Sequence, residues 1–134
     1  MIYSNSLNSK RIFFKIMNGF SGVGIDIVNM DRFKKKPLKG NLNFYKKIFL
    51  DSEIKYCKKF KSSYVHFAGK FAVKEAVIKS IDENIGFLEI LTDHEGSKPI
   101  IKLKTLFKKK YNFLVSISHE KEYAVAVVIS EKIK

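Results

Sequence analysis

FAGKFAVKEAVIK, residues 67–79, decides the fold, because it reads as one helix around which the other elements must pack. Ala68, Gly69, Ala72 and Ala76 are small, so a second element can come close. Phe67, Phe71, Val73, Val77 and Ile78 supply apolar surface. Glu75 and Lys79 stand four apart and share a face, about one turn from each other. On a charged surface such a pair is an ordinary ion pair worth roughly 0.2–0.5 kcal/mol. In an apolar helix a second reading opens, because charges in such surroundings are retained when they pair or bind a metal or a phosphate.

On the N-terminal side, Ser21–Met30 (SGVGIDIVNM) alternates as a strand. Val23, Ile25 and Ile27 point one way; Gly24, Asp26 and Val28 point the other. Asp is depleted in strands, so Asp26 between two isoleucines either binds something or caps the next helix. Gly22 and Gly24 would let a ligand approach the backbone. Asn29–Lys36 predicts a short basic helix stopped by Pro37. Its Arg32, Lys34, Lys35 and Lys36, with Lys39, form a positive patch: a solvated face, or a dock for an acidic partner. Residues 40–61 hold two helical pieces, with Asp51 and Ser52 as N-cap candidates and Ile54, Cys57 and Phe60 facing inward.

On the C-terminal side, SIDENIG ends the central helix. Residues 87–92 and 99–104 read as strands about a Gly- and Pro-containing turn, and 106–111 as a helical turn. Residues 113–119 and 123–130 form a second strand pair. The order predicts an α+β domain with a mainly antiparallel sheet packed on the central helix. Residues 1–19 read as an N-terminal extension and 20–134 as one domain. The extension is a natural segment, a cloning remnant or a targeting address.

The chain has 134 residues, 46% of them hydrophobic, enough for a packed core. Its 26 Lys and Arg against 13 Asp and Glu give +13, a field that favours anionic partners without choosing among them. Cys57 is alone, so no internal disulfide forms and a reducing, cytoplasmic setting is expected, unless residues 1–19 carry an organellar address. No apolar run reaches the roughly 18 residues needed to span a bilayer.

Four polar positions are out of place: Asp26 in an apolar strand, Glu75 and Lys79 in an apolar helix, and His119 at a strand end. One Asp and one Glu make a poor cage for calcium but suit Mg2+, which keeps its waters and takes phosphate oxygens. A lysine one turn away can neutralise a phosphate, and a strand-end histidine can hydrogen-bond it. Such a site works by positioning and charge neutralisation. For His119 alone, a structural role weighs as much as a functional one. No P-loop, GxGxxG, zinc-type spacing or GxSxG is present.

Three blocks then carry a resemblance: GVGIDIVNMDRF (22–33), FAGKFAVKEAVIKS (67–80) and LVSISHEKEYAVAVVI (114–129). In this order they resemble the holo-[acyl-carrier-protein] synthases, small 4′-phosphopantetheinyl transferases of fatty-acid synthesis. The resemblance implies that fold and a Mg2+-dependent transfer of 4′-phosphopantetheine from coenzyme A to a serine of apo acyl carrier protein. Adenosine 3′,5′-bisphosphate would be released. It implies Asp26 and Glu75 as metal ligands and Lys79 as the lysine on the pyrophosphate. His119 and Lys70 would lie toward coenzyme A, with Lys70 replacing the usual arginine and losing its bidentate fork. Gly96, Lys98 and Pro99 resemble a GKP turn near the nucleotide, with Ser97 inserted. Arg32, extended by Lys34, Lys35 and Lys36, would meet the acidic carrier protein. The family is a homotrimer with sites between subunits. This chain departs from it after Lys79, where SIDENIG replaces a Gly-rich turn. The sequence does not identify the base that takes the serine proton.

Two other readings compete. A basic nucleic-acid-binding module would use the charge together with 12 Phe and 6 Tyr, but these fall mostly at core-like positions and no nucleic-acid signature is present. A catalytically silent oligomerisation domain would bind no coenzyme A.

Overall fold

The computed structural model describes residues 20–104 and 110–133. The extension expected at 1–19, and most of the helical turn expected at 106–111, lie outside the described residues. Strand β1 (Phe20–Asn29) leads into three short helices, α1 (Asp31–Lys34), α2 (Leu42–Lys46) and α3 (Asp51–Lys58). The long helix α4 (Ser63–Ser80) follows. A 3-10 turn (Phe87–Glu89) precedes β2 (Ile90–Glu95) and β3 (Lys98–Leu103), and the chain closes with β4 (Tyr111–Glu120) and β5 (Tyr123–Lys132). The main sheet is antiparallel in the order β1-β5-β4, while β2 and β3 form a separate two-stranded sheet. The expected α+β architecture, an antiparallel sheet on a central helix, is what the chain forms. Among the described residues no helix is long and apolar enough to cross a membrane.

Helix α4 meets the sheet backbone to backbone. A Cβ on Gly24 would lie 1.8 Å from the Ala76 carbonyl oxygen, and one on Gly22 would lie 2.0 Å from that of Ser80. The two glycines therefore admit a helix, where the sequence suggested room for a ligand. Ala68, Ala72 and Ala76 complete the close packing with no exposed surface. Strand alternation then turns Asp26 and Val28 toward α4 and leaves Val23, Ile25 and Ile27 more than half exposed on the opposite face.

Helices as short as α1 and α2 are not stable alone. An aromatic knot holds them, in which Phe33, Tyr45, Phe49 and Phe67 are each 1% exposed. The Tyr45 and Phe67 rings meet edge-on with centroids 4.6 Å apart. Tyr45 also donates its hydroxyl to the Lys36 carbonyl at 2.6 Å, tying α2 to the end of α1.

Local differences from expectation have local causes. The N-cap of α3 is Leu50, because Glu53 reaches back to accept its N–H at 2.7 Å; Asp51 and Ser52 fall inside the helix. Residues 87–89 turn instead of extending, because Glu89 accepts the Gly86 N–H at 2.9 Å. Phe60 faces outward and stacks on His66 with centroids 3.7 Å apart.

Candidate active site

Asp26 sits mid-strand in β1, opposite Ala126 of β5, on the face turned to α4. Lys79, near the end of α4, reaches it: Nζ donates to Asp26 Oδ1 and to the Ile25 carbonyl, both at 3.1 Å. The Asp26 side chain is 15% exposed and that of Lys79 is 52% exposed, so this pair lies at an open rim. Glu75 is half-buried, one turn back from Lys79 and adjacent to Ala76, whose carbonyl abuts Gly24. Lys79 thus meets Asp26 across the seam between β1 and α4, and Glu75 lies one helical turn from Lys79 along the same helix.

Among the described residues no group of three or more His, Cys, Asp or Glu side chains converges to hold a metal. A cation on Asp26 and Glu75 would draw its remaining ligands from water or substrate. Two carboxylates of this kind fit Mg2+, an oxygen-seeking ion that keeps several waters.

A second group gathers at the other end of α4. His119, on β4, brings Nε2 to 3.3 Å from where a Gly69 Cβ would lie. His94 of β2 stacks on Tyr56 with centroids 4.7 Å apart. Burial pushes the His66 imidazole below its usual range, and His119, Lys70 and His94 push it further. Burial also lowers His94, with Lys70 adding to the shift. His66 and His94 therefore sense one region of positive potential.

Lys70, expected toward a cofactor, is 5% exposed. Its Nζ donates to the Thr92 carbonyl at 3.0 Å and to Thr92 Oγ1 at 3.1 Å, and lies 4.8 Å from the centre of the Tyr56 ring. Burial lowers its pKa, against the opposing pull of Cys57, Glu53 and Asp93. Gly96, Lys98 and Pro99 lie in the exposed turn and first residues of the β2–β3 hairpin, where Gly96 has φ +64°. That hairpin is pinned beside Lys70 through Thr92 and His94.

The basic patch expected to meet a carrier protein is exposed along α1 and just beyond it. Arg32 lies over Phe71 at 5.2 Å, Lys34 over Tyr64 at 5.5 Å and Lys36 over Phe44 at 4.3 Å. Lys35 stands 4.0 Å from Asp31. Cys57 is a core thiol with no exposed surface, pushed up to about 12 by burial.

Sequence reasoning passed over Lys74 and Glu53, the two most deeply buried charges among the described residues. Lys74 Nζ donates to Glu53 Oε1 at 2.6 Å, to the Ile48 carbonyl at 2.9 Å and to the Phe87 carbonyl at 3.0 Å. Glu53 Oε2 accepts from the Thr92 N–H at 2.9 Å and from the Thr92 hydroxyl at 2.5 Å. A signal was present for Lys74: Phe67, Phe71, Lys74 and Ile78 follow helical spacing along one face.

Comparison with known proteins bears on this geometry. A model of the 4′-phosphopantetheinyl transferase superfamily matches residues 22–128. The chain is 41% identical over 112 residues to the holo-[acyl-carrier-protein] synthase of Thermodesulfovibrio yellowstonii, covering 81% of this chain and 96% of that one. It is 37% identical over 125 residues to that of Syntrophus aciditrophicus, covering 84% and 97%. Among solved structures, the Bacillus anthracis holo-(acyl-carrier-protein) synthase in complex with CoA (3′,5′-ADP) superposes with TM-score 0.72 at 32% identity, over 84% of this chain and 97% of that one. The Helicobacter pylori holo-[acyl-carrier-protein] synthase in complex with coenzyme A gives 0.68 at 33%, over 81% and 99%.

Proposed function

This chain belongs to the 4′-phosphopantetheinyl transferase superfamily, as one of its holo-[acyl-carrier-protein] synthases, and on that premise we propose that it moves 4′-phosphopantetheine from coenzyme A to a serine of an apo acyl carrier protein in a Mg2+-dependent reaction. The observation that carries the site assignment is the rim itself: Asp26 in contact with Lys79, with Glu75 one helical turn away.

In this reading Asp26 and Glu75 hold the Mg2+. When bound, the ion supplies charge neutralisation at the coenzyme A diphosphate. Lys79, half in solvent, exchanges its Asp26 contact for phosphate oxygens and offsets charge on the departing group. Lys70 and His119 line the approach of the nucleotide, and Gly96, Lys98 and Pro99 border it. Lys70 suits an anion because its ammonium is buried against the Thr92 oxygens and a ring, with Glu53 reaching it only through Thr92. The carrier serine attacks the β-phosphorus. The bond from that phosphorus to the bridging diphosphate oxygen breaks, and adenosine 3′,5′-bisphosphate leaves. A carboxylate or a water at the rim takes the serine proton.

Arg32, Lys34, Lys35 and Lys36 present positive charge to an acidic carrier. The opposite face of the sheet, with Val23 at 55%, Ile25 at 61%, Ile27 at 63% and Leu114 at 53% exposure, is an apolar surface suited to self-association. It supports a homotrimer with sites between subunits, and a single-copy mass by light scattering would remove that part. The lone cysteine suits a cytoplasmic setting.

The test is incubation with coenzyme A, Mg2+ and apo carrier protein, read by intact mass. The carrier should gain one phosphopantetheine with Mg2+ and none with a chelator. No gain under either condition would sink the reading, and tight DNA binding at physiological salt would then favour the nucleic-acid alternative.

A further inference from the structure

Under the site helix lies a buried polar knot that joins α3, α4 and β2. One carboxylate, Glu53, faces two ammonium groups, those of Lys70 and Lys74, through Thr92. Lys74 takes the direct contact with Glu53 at 2.6 Å. The Thr92 hydroxyl has one hydrogen, which goes to Glu53 Oε2; its lone pair receives Lys70 Nζ. The Thr92 N–H adds a second bond to Glu53 Oε2, and the Thr92 carbonyl a second to Lys70. Among the described residues no buried side-chain nitrogen or oxygen is left without a partner. The order of dependence is therefore clear. Lys74 and the Leu50 N–H fix Glu53, Glu53 fixes the Thr92 hydroxyl, and Thr92 fixes the Lys70 ammonium over Tyr56.

We propose that Thr92, held by Glu53, is a positioning residue for coenzyme A binding that acts through Lys70. Lys74, although adjacent to Glu75, serves this knot and does not meet the substrate. The inference rests on the reading of Lys70 as a contact for the anionic cofactor. Thr92→Val keeps the backbone groups that bond Glu53 and Lys70 and deletes only the hydroxyl. With that acceptor gone the ammonium is held by one bond instead of two.

The experiment compares parent, Thr92→Val, Lys70→Met and the double variant. Coenzyme A affinity is read by calorimetry, KM and kcat by carrier mass gain, and the fold by thermal melting. Thr92→Val should weaken coenzyme A binding and raise its KM roughly 3- to 10-fold, the scale of one ordinary net hydrogen bond, with kcat at saturation held. In the Lys70→Met background the same substitution should change affinity by much less, because the two residues act as one unit. Thr92→Ser should restore parental affinity. Equal weakening in both backgrounds would overturn the proposal, as would a lowered Tm with affinity and KM unmoved. If the parent binds coenzyme A but transfers nothing, the transfer reading fails while the four affinities still decide the coupling. A parent that binds no coenzyme A overturns both.

Discussion

Lys74 and Lys79 belong to one helix and each reaches a carboxylate, yet they are different devices. The Lys74–Glu53 pair is sealed: both side chains are 0% exposed and the contact is 2.6 Å. The Lys79–Asp26 pair is open, at 52% and 15% exposure and 3.1 Å. A sealed pair cannot exchange partners without paying the desolvation of both charges. An open pair loses little by releasing its partner, because water screens the separated groups. Motif residues that look alike in sequence thus divide into one that holds the fold and one that can meet a substrate.

Lys74→Met probes the sealed side and should have the largest effect. It leaves Glu53 buried and charged, at a cost of about 3–5 kcal/mol. Urea unfolding should show that loss, and a change under 1 kcal/mol would break the distinction. Asp26→Ala probes the open side. Transfer should fall by roughly 10²- to 10³-fold, the scale for losing one electrostatic element of a site. Stability should change by less than about 1 kcal/mol. Full Mg2+-dependent transfer in that variant would refute the metal assignment. The smallest effect concerns His66, which senses the positive region at the N-terminal end of the helix. Its folded pKa is depressed, by burial first and then by His119, Lys70 and His94. A depressed histidine contributes stability that is complete above the unfolded value near pH 6.5 and is lost as pH falls below it. Thermal melts from about pH 7.5 down to about pH 5 should therefore drop, and His66→Gln should flatten the fall.

The sequence made the local pattern legible and left the long-range partners hidden. Alternation in β1 predicted that Gly24, Asp26 and Val28 share a face, and the fold bears that out, because period-2 alternation follows from strand geometry alone. The apolar stripe from Phe67 to Lys79 marked the central helix. It missed the first turn, Ser63–His66, whose mixed residues carry no apolar period. Glu53 went unread because its reason for burial, Lys74, lies in another helix and no spacing rule connects them. Lys70 was placed toward a cofactor by resemblance, and only the fold reveals Thr92 beneath it. Phe60 looked like core by its position in α3's continuation, but His66 offers it a ring at the surface.

The bare contact of Gly22 and Gly24 with the carbonyls of Ser80 and Ala76 has a thermodynamic corollary. With no side chains between them, strand and helix have no intermediate spacing to adopt; they are docked or they are apart. The two acids at the rim should accordingly lose their common footing only when the domain melts. Cation affinity and native structure should then vanish in one transition, at one temperature.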